Sequence, residues 1–121
     1  ERVLPWLWTL NVSGIPHRYA TYADGVRALT NWVTVQRIRN VDCGPMQVNW
    51  RWHGDKLQSF ARAMDAHINL AVGASILAGH YRDSGNWFVA AGRYHHPTDV
   101  ARANAYAQGV FRRIEQLQEA A

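Results

Sequence analysis

Cysteine is almost missing from this sequence. Cys43 stands alone among 121 residues, which excludes an intrachain disulfide framework and a multi-thiolate zinc site and leaves stability to an ordinary hydrophobic core. Charge is scarce as well: 18% of residues are charged against 48% hydrophobic, the reverse of the balance that keeps a chain disordered. Long hydrophobic runs are absent, the longest being a few residues against the roughly 20 that a bilayer-spanning helix needs. There is no internal repeat and no low-complexity stretch, so residues 1–121 read as one compact domain. A long basic run is missing too. The formal charge is +4, but Arg37 and Arg39, Arg51, and Arg112 with Arg113 are scattered along the chain, which argues against a nucleic-acid partner. The chain opens on Glu1, with no basic segment leading into an apolar one; a targeting segment is expected outside it, and the chain reads as processed or excised.

What is present is tryptophan, six in all. Trp6, Trp8, Trp50 and Trp52 flank segments rich in polar side chains, as expected where aromatic faces meet sugars or bases, although each also suits a core anchor. Residues 1–20 carry Pro5, Gly14 and Pro16 without a sustained helical period and read as an irregular, Trp-rich arm. Thr21 with Asp24 resembles a capping box, and Ala23, Val26, Leu29 and Val33 extend a helix to about Gln36. Residues 39–45 read as a loop, and residues 46–50 alternate like a short extended piece. Leu57, Phe60, Ala61 and Met64 mark a short amphipathic helix over residues 56–64. Residues 66–82 are apolar almost all round, which predicts a helix buried in the domain centre, capped by Asp65 and stopped by Ser84-Gly85. Another helix is predicted over residues 87–94, then a turn at His95-His96-Pro97, then a long amphipathic helix begun near Thr98-Asp99. The fold class is mainly α, with a short extended central segment.

Several groups are candidates for chemistry. The Gly-Pro turn at Asp42-Cys43-Gly44-Pro45 aims the following backbone, and alternation would send Gln47 and Asn49 to one side while Met46 and Val48 pack on the other. Such a segment can line a polar groove, or merely connect two helices. His95 and His96 beside Tyr94, with His53 and His80, invite a metal or acid–base reading. Adjacent residues rarely ligate one ion, though, and no Cys or carboxylate stands at ligand spacing, so no metal is expected. Cys43 suits a small buried thiol better than a nucleophile. Glycoside cleavage needs a carboxylic acid held in an apolar, aromatic-walled place that raises its pKa. Glu1, just before Pro5-Trp6-Leu7-Trp8, has such neighbours. Asp42, Asp65 and Asp99 stand where capping is the default role, and Glu115 and Glu119 read as solvated charges. Asn69, a polar amide in an apolar helix, must find partners and is expected to tie a neighbouring loop.

Separated segments together resemble the soluble lytic transglycosylase domain, in the branch associated with conjugative and type IV secretion systems. Pro5-Trp6-Leu7-Trp8-Thr9-Leu10-Asn11-Val12 is similar to that branch's Pro-Trp-Pro-Trp-Thr-Leu-Asn-Val segment, and Asp42-Cys43-Gly44-Pro45-Met46-Gln47-Val48-Asn49 to its Asp-Val-Gly-Leu-Met-Gln-Val-Asn segment. Asn69-Leu70-Ala71-Val72-Gly73-Ala74 and Ala91-Gly92-Arg93-Tyr94-His95 resemble its Asn-Ile/Leu helix and its later Tyr-containing motif, with order and spacing kept over roughly residues 4–114.

The resemblance implies a lysozyme-like helical fold, lacking its first helix here and ending its C-terminal helix over residues 115–121. It implies cleavage of the MurNAc–GlcNAc β-1,4 bond of peptidoglycan to a 1,6-anhydro end, in the periplasm, for a secretion or conjugation machine. Glu1 would be the catalytic acid and base; Met46, Gln47, Asn49, Tyr94, His95 and Trp8 would contact the glycan, with no cofactor. The alternatives are a non-catalytic glycan-binding or scaffold module of the same fold, and a hydrolytic lysozyme with Asp42 as second carboxylate.

Overall fold

The computed structural model describes residues 6–120, which are mostly helical with one small antiparallel sheet. The chain divides into two compact units at Gly73 and Ala74, inside the helix α4 (Ala66–Ser84). Among the described residues no helix is long and apolar enough to cross a membrane.

The first unit opens with a β-hairpin, β1 (Thr9–Val12) and β2 (Ile15–Arg18), where the sequence predicts an irregular arm. The signal lies in the turn. Ser13 and Gly14 both have positive φ, 49° and 94°, the geometry whose twist matches a two-residue hairpin, and Asn11 Oδ1 accepts from the Gly14 amide at 2.8 Å. Pro16, read as a breaker, sits on the edge strand, where a missing N–H costs no ladder bond. The sheet continues from β1 to β3 (Val41–Cys43) and β4 (Val48–Asn49) in the order β2-β1-β3-β4, so part of the predicted loop over residues 39–45 is strand. Leu10, Val12, Val41, Cys43 and Val48 turn inward from it and are buried with Leu29, Leu57, Ala63 and Met64.

Thr21 caps α1 (Tyr22–Thr30) as expected, accepting from the Asp24 amide at 3.1 Å. The helix relaxes into a π-helical turn, Asn31–Val35, and ends where Arg37 takes φ 57°. The single helix expected over residues 56–64 is instead two. Asn49 caps α2 (Trp50–Leu57), Gln58 breaks it at φ 74°, and Ser59 caps α3 (Phe60–Met64). Asp65 then caps α4, accepting from the Ile68 amide at 3.0 Å. α4 is not buried all round, as its apolar sequence suggests, because Leu70 is 45% exposed and Ala71, Ala74 and Ser75 are exposed beside it.

In the second unit Gly85, at φ 67°, ends α4, its amide donating to the Tyr81 carbonyl at 2.7 Å. Asn86 caps α5 (Trp87–His95) and Asp99 caps α6 (Val100–Ala120). Trp87 stacks on Tyr81 at 4.0 Å, and Phe88 meets Phe111 at 5.4 Å. α5 and α6 come into close contact at Gly92 and Ala103.

Candidate functional site

The turn after β3 is built by a glycine and held by a buried amide. Gly44 adopts φ 71°, and a Cβ there would sit 2.6 Å from Asn69 Nδ2, so both backbone and packing require glycine. Asn69, fully buried on the first turns of α4, does what its place in an apolar helix predicts. Its Nδ2 donates to the Cys43 and Ala63 carbonyls at 2.7 and 2.9 Å, and its Oδ1 accepts from the Met46 amide at 2.9 Å. One side chain thus bonds three backbone groups from separate segments of the fold.

Beyond Gly44 the chain does not simply alternate. Val48 is buried and Asn49 faces outward, as expected, but Gln47 has φ 50°. Its amide and its Nε2 both donate to the Gly44 carbonyl, at 3.0 and 2.9 Å, so the side chain folds over its own turn while remaining half exposed. Gln47 Oε1, an acceptor, has no hydrogen-bond donor among the described residues. Met46 is half-buried beside it. Asn49 has a structural task of its own: Oδ1 accepts from the Trp52 amide at 3.1 Å, and Nδ2 donates to Asn40 Oδ1 at 3.0 Å and Asp42 Oδ1 at 2.9 Å. The strand that follows the next candidate adjoins this turn, since the Gly44 amide donates to the Thr9 carbonyl at 2.9 Å. Trp8, half-buried, precedes Thr9 and closes on α1, where its Cβ lies 3.5 Å from the place a Cβ on Gly25 would take.

Met46, Gln47, Asn49 and Trp8 thus belong to the first unit, and Tyr94 and His95 to the second. There the His95 ring lies 5.3 Å from Tyr94, edge-on, and 4.2 Å from Tyr106 of α6. Burial raises the pKa of the Tyr106 phenol, which stays a neutral donor. Glu1 lies outside the described residues. Of the aspartates read as caps, Asp65 and Asp99 act as caps, whereas Asp42 lies within β3 and accepts from Asn49 Nδ2; no group of three or more His, Cys, Asp or Glu able to hold a metal occurs among the described residues.

Cys43 is fully buried in β3. Burial, and next the charge of Asp42, push its thiol far above the ordinary range, the opposite of what a nucleophile needs. Below the unfolded thiol's pKa of roughly 8.5 both states are protonated and nothing is lost. Above it only the unfolded chain releases the proton, so stability should fall by about 1.4 kcal/mol per pH unit. Chemical denaturation of the wild type and of Cys43→Ala at pH 7 and pH 10 measures this, since only the wild type carries the thiol's share of the loss.

Compared with known proteins, the chain matches no protein-family model, no curated protein and no solved structure.

Proposed function

We propose that the chain is a lysozyme-like, lytic transglycosylase domain that cleaves the MurNAc–GlcNAc β-1,4 bond of peptidoglycan in the periplasm, opening the wall for a secretion or conjugation machine. The observation that carries this reading is the turn Gly44–Gln47. A positive-φ glycine and a fully buried asparagine from a distant helix hold Met46 and Gln47 at a surface beside β1, an investment beyond what a connecting loop needs. These are the residues on which the sequence resemblance rests.

The chemistry requires one carboxyl group, assigned to Glu1. Its neutral form donates a proton to the glycosidic oxygen as the bond from that oxygen to C1 of MurNAc breaks. The carboxylate so formed takes the proton of the C6 hydroxyl while O6 bonds to C1, which closes the 1,6-anhydro ring and restores the acid. No water is consumed and no second carboxylate takes part. Gln47 Oε1 and Met46 would position the glycan near the scissile bond.

Digestion of purified murein should release muropeptides with 1,6-anhydroMurNAc ends. Reducing ends instead would mean hydrolysis with a second carboxylate, for which Asp42 is the nominee. Retention on insoluble murein without any product would mean a binding module.

A further inference from the structure

Arginines scattered in the sequence converge in the fold. Arg37, Arg39 and Arg51 line one open cleft with Ile38, Asn40 and Trp52, of about 570 Å³. None of the three has a carboxylate within ion-pair distance among the described residues. Other guanidinium groups of this unit are engaged elsewhere: Arg18 lies over Trp6, Arg27 pairs with Asp24, and Arg62 donates to the Leu57 carbonyl at 3.1 Å. Trp52, 68% exposed, stands at the cleft with the Arg51 guanidinium 5.7 Å from its ring centre.

The cleft is braced. The Ile38 amide donates to the Trp32 carbonyl at 2.9 Å, the Val41 amide to the Arg39 carbonyl at 2.8 Å, and the Ser13 amide to the Asn40 carbonyl at 3.0 Å. Asn49 Nδ2 adds a bond to Asn40 Oδ1, and its bond to Asp42 ties the cleft wall to the strand that enters the Gly44 turn. Like charges gathered where a braced loop meets α2 repel one another at a cost in stability, and an anionic ligand would relieve it.

Size and composition narrow the ligand. The volume suits one discrete ligand of a sugar and a few residues and not a polymer track, which would repeat its aromatic and basic positions along a groove. Guanidinium forks match carboxylates, and an exposed indole face matches the C–H face of a sugar or an aliphatic stem. We infer that this cleft binds the carboxylate-bearing peptide arm attached to a murein sugar, a second subsite on the same substrate as the Gly44 turn. This rests on the peptidoglycan reading above.

The test is titration of the chain, followed by tryptophan fluorescence and calorimetry, with four probes: a GlcNAc–MurNAc disaccharide carrying its acidic tetrapeptide, the same disaccharide without peptide, a single-stranded oligonucleotide, and phosphatidylglycerol vesicles. The peptide-bearing disaccharide should bind about tenfold or more tightly than the bare one at low salt, with the preference shrinking as salt rises. In a folded Arg37→Ala/Arg51→Ala variant the ratio should fall to about one. Equal binding of the two disaccharides by the wild type overturns the inference and leaves the glycan reading standing; failure of both to bind removes that reading, and the inference with it. A preference that survives in the variant, or tighter binding of oligonucleotide or vesicles that the variant loses, also overturns it. Should the variant not fold, the wild-type ratio still decides.

Discussion

Asn69→Ala is expected to lower the melting temperature by roughly 10–20 °C, corresponding to about 3–5 kcal/mol. The side chain is fully buried and bonds three backbone groups, the Met46 amide and the Cys43 and Ala63 carbonyls. Truncation removes all three bonds and opens a space beneath Gly44, which packs closely against this amide. The same loss frees the Met46–Gln47 turn, so murein turnover should drop even at temperatures where the variant is folded. Leu70→Ala is the control. It removes more apolar surface from the neighbouring position of the same helix, but Leu70 is half exposed, and the shift should be within about 0.5 kcal/mol. Calorimetry of the two variants decides: similar melting temperatures would mean that Asn69 is not the keystone of the turn.

Gly92→Ala should be nearly as damaging, about 2–4 kcal/mol, although alanine is the better helix former by about 1 kcal/mol. A Cβ at Gly92 would collide with the Ala103 carbonyl oxygen and lie 2.8 Å from its carbon. These are backbone atoms of α6 and cannot swing aside as a side chain can, so α5 and α6 must move apart along their contact. Gly109→Ala serves as the comparison, because a Cβ there meets nothing within 4 Å and the helix gains propensity. Thermal melts should show the first variant destabilised and the second unchanged or slightly more stable. Equal melting temperatures for Gly92→Ala and wild type would contradict the close packing of the two helices.

Three of the helix caps were readable because a cap is a local event. Thr21, Asp65 and Asp99 each bond an amide three residues on, and nothing distant is needed to see it. The same locality explains Asn69: a lone amide among apolar helical residues must be paid in hydrogen bonds, wherever they come from. The hairpin was hidden because Gly14 and Pro16 signal a break in a helix and a turn or an edge in a sheet, and which applies depends on β1 finding β3 more than twenty residues later. Leu70 misled for a related reason, since an apolar residue need not be buried. The arginine cleft was the least legible feature. Arg39 and Arg51 meet because β3 and β4 pair and bring the loop before one strand beside the helix after the other, a consequence of register that no spacing rule in the sequence records. The pose of Gln47 was not legible, as alternation does not anticipate a left-handed residue at the end of a turn.

The decisive measurement is mass spectrometry of the muropeptides released from purified murein by the chain and by its Glu1→Gln variant, each checked for an unchanged melting temperature. Anhydro-muropeptides from the chain that vanish in the folded variant are the expected result, and they would establish the lyase reaction and Glu1 as its acid and base together. Equal turnover by the Gln variant would contradict the role of Glu1, and reducing-end products or no products at all would contradict the lytic transglycosylase reading itself.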